Sequence, residues 1–355
     1  MASIYFYKDV LPFIAMVAIE FTNVGVSVLF KAATQNGLSF YVFIAYSYLV
    51  STFVLLFLQP FFLKWSTGLP PLNKSLILRI FLLGVLGVVA QLFGYKGLEY
   101  TTPTLASALA NLIPAFTFIL AIFFRMEYIN LRSKSSQAKI LGSSISILGA
   151  LVVVLYKGPI IIHSPSTKPL HTIDSPISIT AEPNWILGGS LLLIEFLIIP
   201  IWYIIQTNVI KEYPSEVIVV FYYNLCGAIV SVPLCLLLEP NLSAWKINPD
   251  IELISILVSG IFCTGLSCLV HTWGLHVKGP LYISMFKPLS IAIAACMSAI
   301  FLGDALYFGT VVGAVVISVG FYAVLWGKSK EELIGDFDTS TVPLSYNAKT
   351  PLLKS

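Results

Sequence analysis

The sequence predicts an all-α polytopic membrane protein: ten transmembrane helices in two inverted five-helix repeats. Three observations carry that expectation. Hydrophobic residues make up 57% of the 355, charged residues only 10%, and mean hydropathy is +0.91; soluble domains average roughly 25% charged residues. Ten apolar runs have the length of about 20 residues that a hydrocarbon core of about 30 Å requires; they fall near 10–30, 40–62, 77–97, 104–124, 138–156, 185–206, 217–238, 252–274, 281–302 and 306–326. The two halves also repeat one pattern of landmarks. Gly97 and Pro103 recur as Gly274 and Pro280, Glu127 recurs as Asp304, and the pair Gly142/Gly149 recurs as Gly313/Gly320. With five spans per repeat, the second must enter the bilayer upside down, as in many secondary transporters.

Each span has its own marks. Span 1 carries Glu20, Asn23 and Ser27 on one face, with Lys31 at its end. It lacks a small-residue cleavage site and exceeds a signal-peptide core in length, so it reads as a retained helix. Span 2 stops at Gln59-Pro60, as span 7 stops at Glu239-Pro240. Span 3 presents Gly84, Gly87 and Gln91, and span 4 contains Pro114. Spans 5 and 10, with LGSSISILG and VGAVVISVG, read as close-packing helices with small-residue faces. The Pro/Ser-rich linker 157–184 excludes a continuous helix and separates a first repeat, 10–156, from a second, 185–326. Span 6 presents Glu195, Trp202 and Gln206, span 7 contains Asn224, and span 8 presents Gly260, Thr264, Ser267 and His271. Span 9 contains Lys287 and Pro288, and the polar tail 327–355 reads as disordered.

Charge placement orients the spans. With the N-terminus inside, fourteen Lys and Arg fall on the inner side against five outside (Lys31, Lys96, Lys157, Lys168, Lys246). The positive-inside rule then puts both termini in the cytoplasm. Basic residues scattered among short loops are no nucleic-acid surface. All five cysteines lie in spans and read as small apolar residues, with neither disulfide nor zinc spacing. His163, His171 and Asp174 sit in the linker and read as solvated rather than as a metal site. HExxH, GxSxG and the Walker A loop are all missing, and Asp304 lacks the second aspartate of an intramembrane aspartyl site. The expectation is therefore a non-enzyme without cofactor or metal.

Acids inside spans cost about 2.5–3.5 kcal/mol each, so the repeated Ile-Glu-Phe, at 19–21 and 194–196, marks the candidate binding site. Glu20 and Glu195 both count to the bilayer midplane, where inverted symmetry brings them together. One binds a substrate amine on this reading while the other titrates; alternatively each is protonated and bonds a neighbouring helix. Asn23, Gln91, Gln206 and Asn224 are the amide candidates, and Asn224 serves substrate or a neighbouring helix. His271 reads as an interfacial histidine or a proton relay. Lys287 either snorkels inward or faces the cavity. Tyr46, Tyr48, Tyr222, Tyr223 and Trp273 read as packing or interfacial anchors.

Three stretches resemble a known family: LPFIAMVAIEFTNVGVSVLFKAATQNGLSFYVF (11–43), GLEYTTPTLASALANLIPAFTFILAIFFRMEYINLRSKSSQAKILGSSISILGALVVVLYKG (97–158) and HTWGLHVKGPLYISMFKPLSIAIAACMSAIFLGDALYFG (271–309). They are similar to the plant EamA-type transporters, the nodulin-21-like or Walls-Are-Thin-related (UMAMIT) proteins of the drug/metabolite transporter superfamily. The resemblance implies two EamA repeats and a central cavity walled mainly by the first three helices of each half. It implies bidirectional movement of amino acids across the plasma membrane by alternating access, with auxin-like export or the vacuolar membrane as alternatives. A non-transporting receptor or scaffold is a further alternative. The expected partners are a small zwitterion and the lipid bilayer, with a homodimer as the only protein partner considered. The family's acid after the fourth helix is usually Glu, as at Glu127; Asp304 departs from it.

Overall fold

The computed structural model describes residues 10–63, 73–124, 133–156, 158–162, 183–284, 286–302 and 306–341. Glu127, Asp304 and the linker residues His163, His171 and Asp174 lie outside the described residues.

In chain order the first repeat contains α1 (Leu11–Gln35), α2 (Phe40–Leu63), α3 (Lys74–Tyr100), α4 (Pro103–Ala110), α5 (Ile113–Phe123) and α6 (Lys134–Leu155). Strand β1 (Ile160–Ile162) follows. The second repeat contains α7 (Pro183–Glu212), α8 (Glu216–Leu238), a 3₁₀ turn (Leu242–Trp245), α9 (Ile251–Val258), a π-helical stretch (Ser259–Ser267) and α10 (Cys268–Val277). It continues through α11 (Pro280–Ser284), α12 (Lys287–Met297), a second π-helical stretch (Ser298–Leu302), β2 (Leu306–Tyr307) and α13 (Phe308–Thr341). Among the described residues, nine stretches are long and apolar enough to span a bilayer, and Phe308–Val324 is a further apolar helix. Leu237 and Phe123 are each 79% exposed, and Ile300 is 73% exposed. Surface of that kind is stable against lipid and not against water.

Local chemistry sets the breaks. Gly37, at φ 105°, ends α1 in a Schellman motif: the Leu38 N–H reaches the Ala33 carbonyl at 3.1 Å. Gly279, at φ 84°, ends α10 in the same left-handed conformation, with Pro280 following. Spans 4 and 9 are both discontinuous. Each restarts with proline in its first turn, Ile113-Pro114 in α5 and Lys287-Pro288 in α12. Proline has no N–H to give back to the preceding turn, so the break falls just before it. Pro200 and Pro233, by contrast, sit inside continuous helices.

Packing has the symmetry of the repeat. Span 3 packs on span 6 and span 8 on span 1, span 4 on span 6 and span 9 on span 1, while 2 with 7 and 5 with 10 pair across the middle. Exchanging the halves maps 3–6 onto 8–1 and 4–6 onto 9–1, and maps 2–7 and 5–10 onto themselves. The 5–10 seam depends on small residues: a methyl at Gly142 collides with the Gly320 carbonyl, and one at Gly320 collides with the Gly142 carbonyl. Ser146 Oγ donates to the Ile317 carbonyl at 3.3 Å across the same seam.

Two features differ from the sequence expectation. The start of the linker forms β1, paired antiparallel with β2 beside α13. Helix α13 also runs past Trp326 to Thr341, so the expected disorder of 327–355 is corrected over 327–341. The segment GKSKEELIGDFDTST holds Lys, Glu and Leu, which favour helix, and no proline precedes Pro343.

Candidate functional site

A cavity of about 300 Å³ lies between the halves, and six of the eight candidate residues line it: Glu20, Asn23, Gln91, Glu195, His271 and Lys287. Glu20 is 1% exposed on α1, and its Oε1 accepts from Lys287 Nζ at 2.7 Å, a buried ion pair between span 1 and span 9. Lys287 can reach it because the break in span 9 places this residue at the first position of α12, beside α1. Glu195 is placed differently. Its carboxylate lies against Gly94 of α3, where a methyl would collide with it, and it has no hydrogen bond or ion pair among the described residues.

The polar wall continues from α1 into the π-helical stretch. Asn23 Oδ1 accepts from Ser267 Oγ at 3.1 Å and from Cys263 Sγ at 3.5 Å. His271 Nδ1 lies 2.8 Å from the Ser267 carbonyl. A carbonyl only accepts, so Nδ1 carries the proton, and Nε2 remains for another partner. The imidazole stacks on Tyr203, 6.2 Å between centroids at 21°. Tyr95, Phe196, Trp202, Tyr203 and Tyr223 supply an aromatic wall, a surface suited to apolar or cationic groups.

The cavity extends toward the end where α3 finishes and α4 begins, at Leu98 and Ala106. Beyond Glu20 and Lys287 it is closed. Phe13 meets Phe286 edge-on at 5.4 Å, Tyr282 meets the same ring at 5.4 Å, and Met16, Leu275 and Ile283 fill the space with at most 2% exposure each.

The profile of the EamA-like transporter family matches residues 10–155 and 186–326, one match for each repeat. The chain belongs to this family. Among its similar relatives, the WAT1-related protein At5g40240 of Arabidopsis thaliana is 54% identical over 332 residues, covering 93% of this chain and 90% of the relative. The WAT1-related protein At4g15540 of the same plant is 53% identical over 351 residues, covering 99% and 96%. One crystal structure matches with a TM-score of 0.57 at 13% identity, covering 88% of this chain and 98% of its own, which supports the fold alone. The EamA chain is thus a multi-pass membrane transporter.

Two predicted site residues of this EamA transporter lie elsewhere. Gln206 is fully buried and donates to Thr272 Oγ1 at 2.9 Å, tying α7 to α10. It continues the Glu195 stripe, but the cavity stops at Tyr203 and α10 packs there instead. Asn224 is fully buried and donates to the Val220 carbonyl at 2.9 Å within α8; its neighbour Tyr223 faces the cavity. His271 is 8% exposed, which replaces the interfacial reading. Lys31 is committed to the carbonyls of Leu98 and Glu99, at 3.0 and 2.7 Å, at the end of α3. As expected, the first three helices of each half supply most of the cavity wall. The fourth spans contribute Ser107, Ile113, Lys287 and Ser290, whereas α2 contributes no lining residue. Tyr95 was missed, although it lies one helical turn beyond Gln91 on the same face.

Proposed function

We propose that this EamA protein carries neutral amino acids or similar zwitterions by alternating access, with Glu195 receiving the substrate ammonium. The observation that carries this reading is an asymmetry in the repeat. Glu20 and Glu195 are mates, and so are Lys287 and Ile113, each the first residue of its half-helix after the break. Lys287 neutralises Glu20. Ile113 faces the same cavity and offers Glu195 nothing. The second repeat's acid therefore feels Lys287 only at a distance and has no cation bonded to it among the described residues, a place that a substrate ammonium fills. At about 4 Å and an effective dielectric of about 20, an ammonium beside that carboxylate gains roughly 4 kcal/mol, and an anion loses a similar amount. Ala110, whose carbonyl loses its helical donor because Pro114 stands four residues on, also lines the cavity. An auxin-like carboxylate fits this arrangement worse than a zwitterion does.

The closed end at Phe13 and Phe286, against the reach toward Leu98, supports one-sided access in this conformation. With cytoplasmic termini the reach is outward, at the plasma membrane by preference over the vacuolar one. Uptake and efflux of a labelled amino-acid panel in proteoliposomes, with and without a pH gradient, test the proposal. Glu195→Gln is expected to lower apparent affinity for neutral amino acids at least about tenfold. Indole-acetate transport without amino-acid competition overturns the assignment.

A further inference from the structure

We propose that a second crevice, on the lipid-facing side of the molecule, binds a membrane sterol. Its volume is about 560 Å³, within the ~300–1,000 Å³ range of ligand pockets. It lies between α4, α12 and α13 and shares no lining residue with the central cavity. Ile291, Ala295, Val311 and Ala314 form its apolar wall, and Val315 and Val319, each 58% exposed, stand at its open edge.

Two hydroxyls distinguish this crevice from an ordinary gap between helices. Thr104 is 6% exposed and Thr310 is 3% exposed, and both line the crevice. Neither hydroxyl has a hydrogen-bond partner among the described residues. Neither oxygen is sealed inside the protein, so a ligand in the crevice that can both donate and accept reaches them and supplies the missing partner. Both threonines sit in the first turn of their helices, hence at one end of the spans, where a lipid's polar group lies. From Thr310 to Tyr322 at the far end is twelve residues, about 18 Å along α13. That is about the depth of one leaflet; along it Ser318 already donates to the Ala314 carbonyl at 2.8 Å, and Tyr322 stands at the far end.

A sterol has this form: one hydroxyl, then a rigid apolar body that suits a wall of small side chains such as Ala295 and Ala314. A phospholipid chain has no hydrogen-bonding group to place there. Its phosphate would want a cation, and no Lys or Arg among the described residues lines the crevice. The position gives the ligand a consequence. On α12, Ser290 faces the substrate cavity and the next residue, Ile291, faces the crevice. On α4, Ser107 and Thr104 divide in the same way. An occupant therefore wedges behind both broken spans.

The test is photolabelling of the full chain in liposomes with a diazirine sterol, followed by peptide mapping. Labelling is expected on α13 peptides between Thr310 and Tyr322, competed by excess unlabelled sterol but not by excess phosphatidylcholine. Thr104→Val and Thr310→Val preserve shape and remove one hydroxyl each; each is expected to weaken apparent sterol affinity about fivefold. Ala314→Phe fills the crevice and is expected to abolish labelling while elution as a monodisperse peak is retained. Equal competition by phosphatidylcholine identifies a general acyl-chain groove and overturns the proposal. So does wild-type labelling that is absent or insensitive to both threonine variants.

Discussion

Replacing Lys287 with Met removes the positive half of a buried ion pair and leaves its partner in place. Glu20 is 1% exposed and the Lys287 side chain 11%, with the charged atoms 2.7 Å apart. Breaking such a pair from one side costs about 3–5 kcal/mol, because the remaining charge is uncompensated. Removing both charges at once is often near neutral, so Glu20→Gln/Lys287→Met is expected to regain most of the loss. The coupling between the two positions should then be at least about 2 kcal/mol. Thermal unfolding of detergent-purified protein reads this directly. Taking the lower end of the per-kcal shift for large chains, Lys287→Met should melt roughly 5–10 °C below wild type. The double variant should lie within about 3 °C of it. A single variant that melts no lower than the double refutes the reasoning, since the pair would then carry no mutual stabilisation.

Other outcomes follow from the same geometry. Gly94→Ala drives a methyl into the Glu195 carboxylate; proteoliposome uptake of neutral amino acids should fall about tenfold, while overpacking costs only about 1–3 kcal/mol of stability. Ile113→Lys should supply the missing ammonium from within, so that uptake falls at least about tenfold in a protein that melts no lower than wild type. Tags inserted at Leu170 and at the C-terminus should be accessible from opposite faces of the membrane; accessibility from one face would remove the assigned orientation.

How much of this was legible beforehand depended on whether the signal was local. Glu20, Asn23, Gln91 and Glu195 reach the cavity as their helical spacing requires, because α1, α3 and α7 are continuous there. Gly142, Gly149, Gly313 and Gly320 meet in one seam for the same reason. The failures occur where one period no longer describes the chain. Lys287 is hard to place by counting along span 9, since α11 stops at Ser284 and α12 starts afresh at Lys287. Its pairing with Glu20 is also separated by 267 positions. In span 8 the π-helical register turns Gly260 against Val50 of α2, although it belongs to the stripe that carries Thr264, Ser267 and His271. Gln206 fails for another reason: periodicity gives the face of a helix but not where along that face a neighbour closes in.

The asymmetry at Lys287 and Ile113 bears on how an inverted repeat can have a preferred state. Two identical halves would make the inward-open and outward-open forms equivalent by a two-fold rotation and equal in energy. Here one repeat neutralises its acid with its own chain, and that pair lies at the closed end with Phe13, Phe286 and Met16 packed beyond it. Opening that end must separate Glu20 from Lys287 or move them as a unit. The opposite end has no such bond at Glu195, so on the proposed alternating-access reading the empty carrier favours the conformation in which the cavity reaches toward Leu98. A bound ammonium completes the second pair and restores the balance between halves, which lowers the cost of the reciprocal closure. On the proposed reading, substrate therefore speeds the conformational exchange that carries it. Ile113→Lys should mimic that effect without substrate: cysteine labelling at Leu98 should slow in the variant relative to wild type, and equal labelling would show that the charge at Glu195 does not govern the two states.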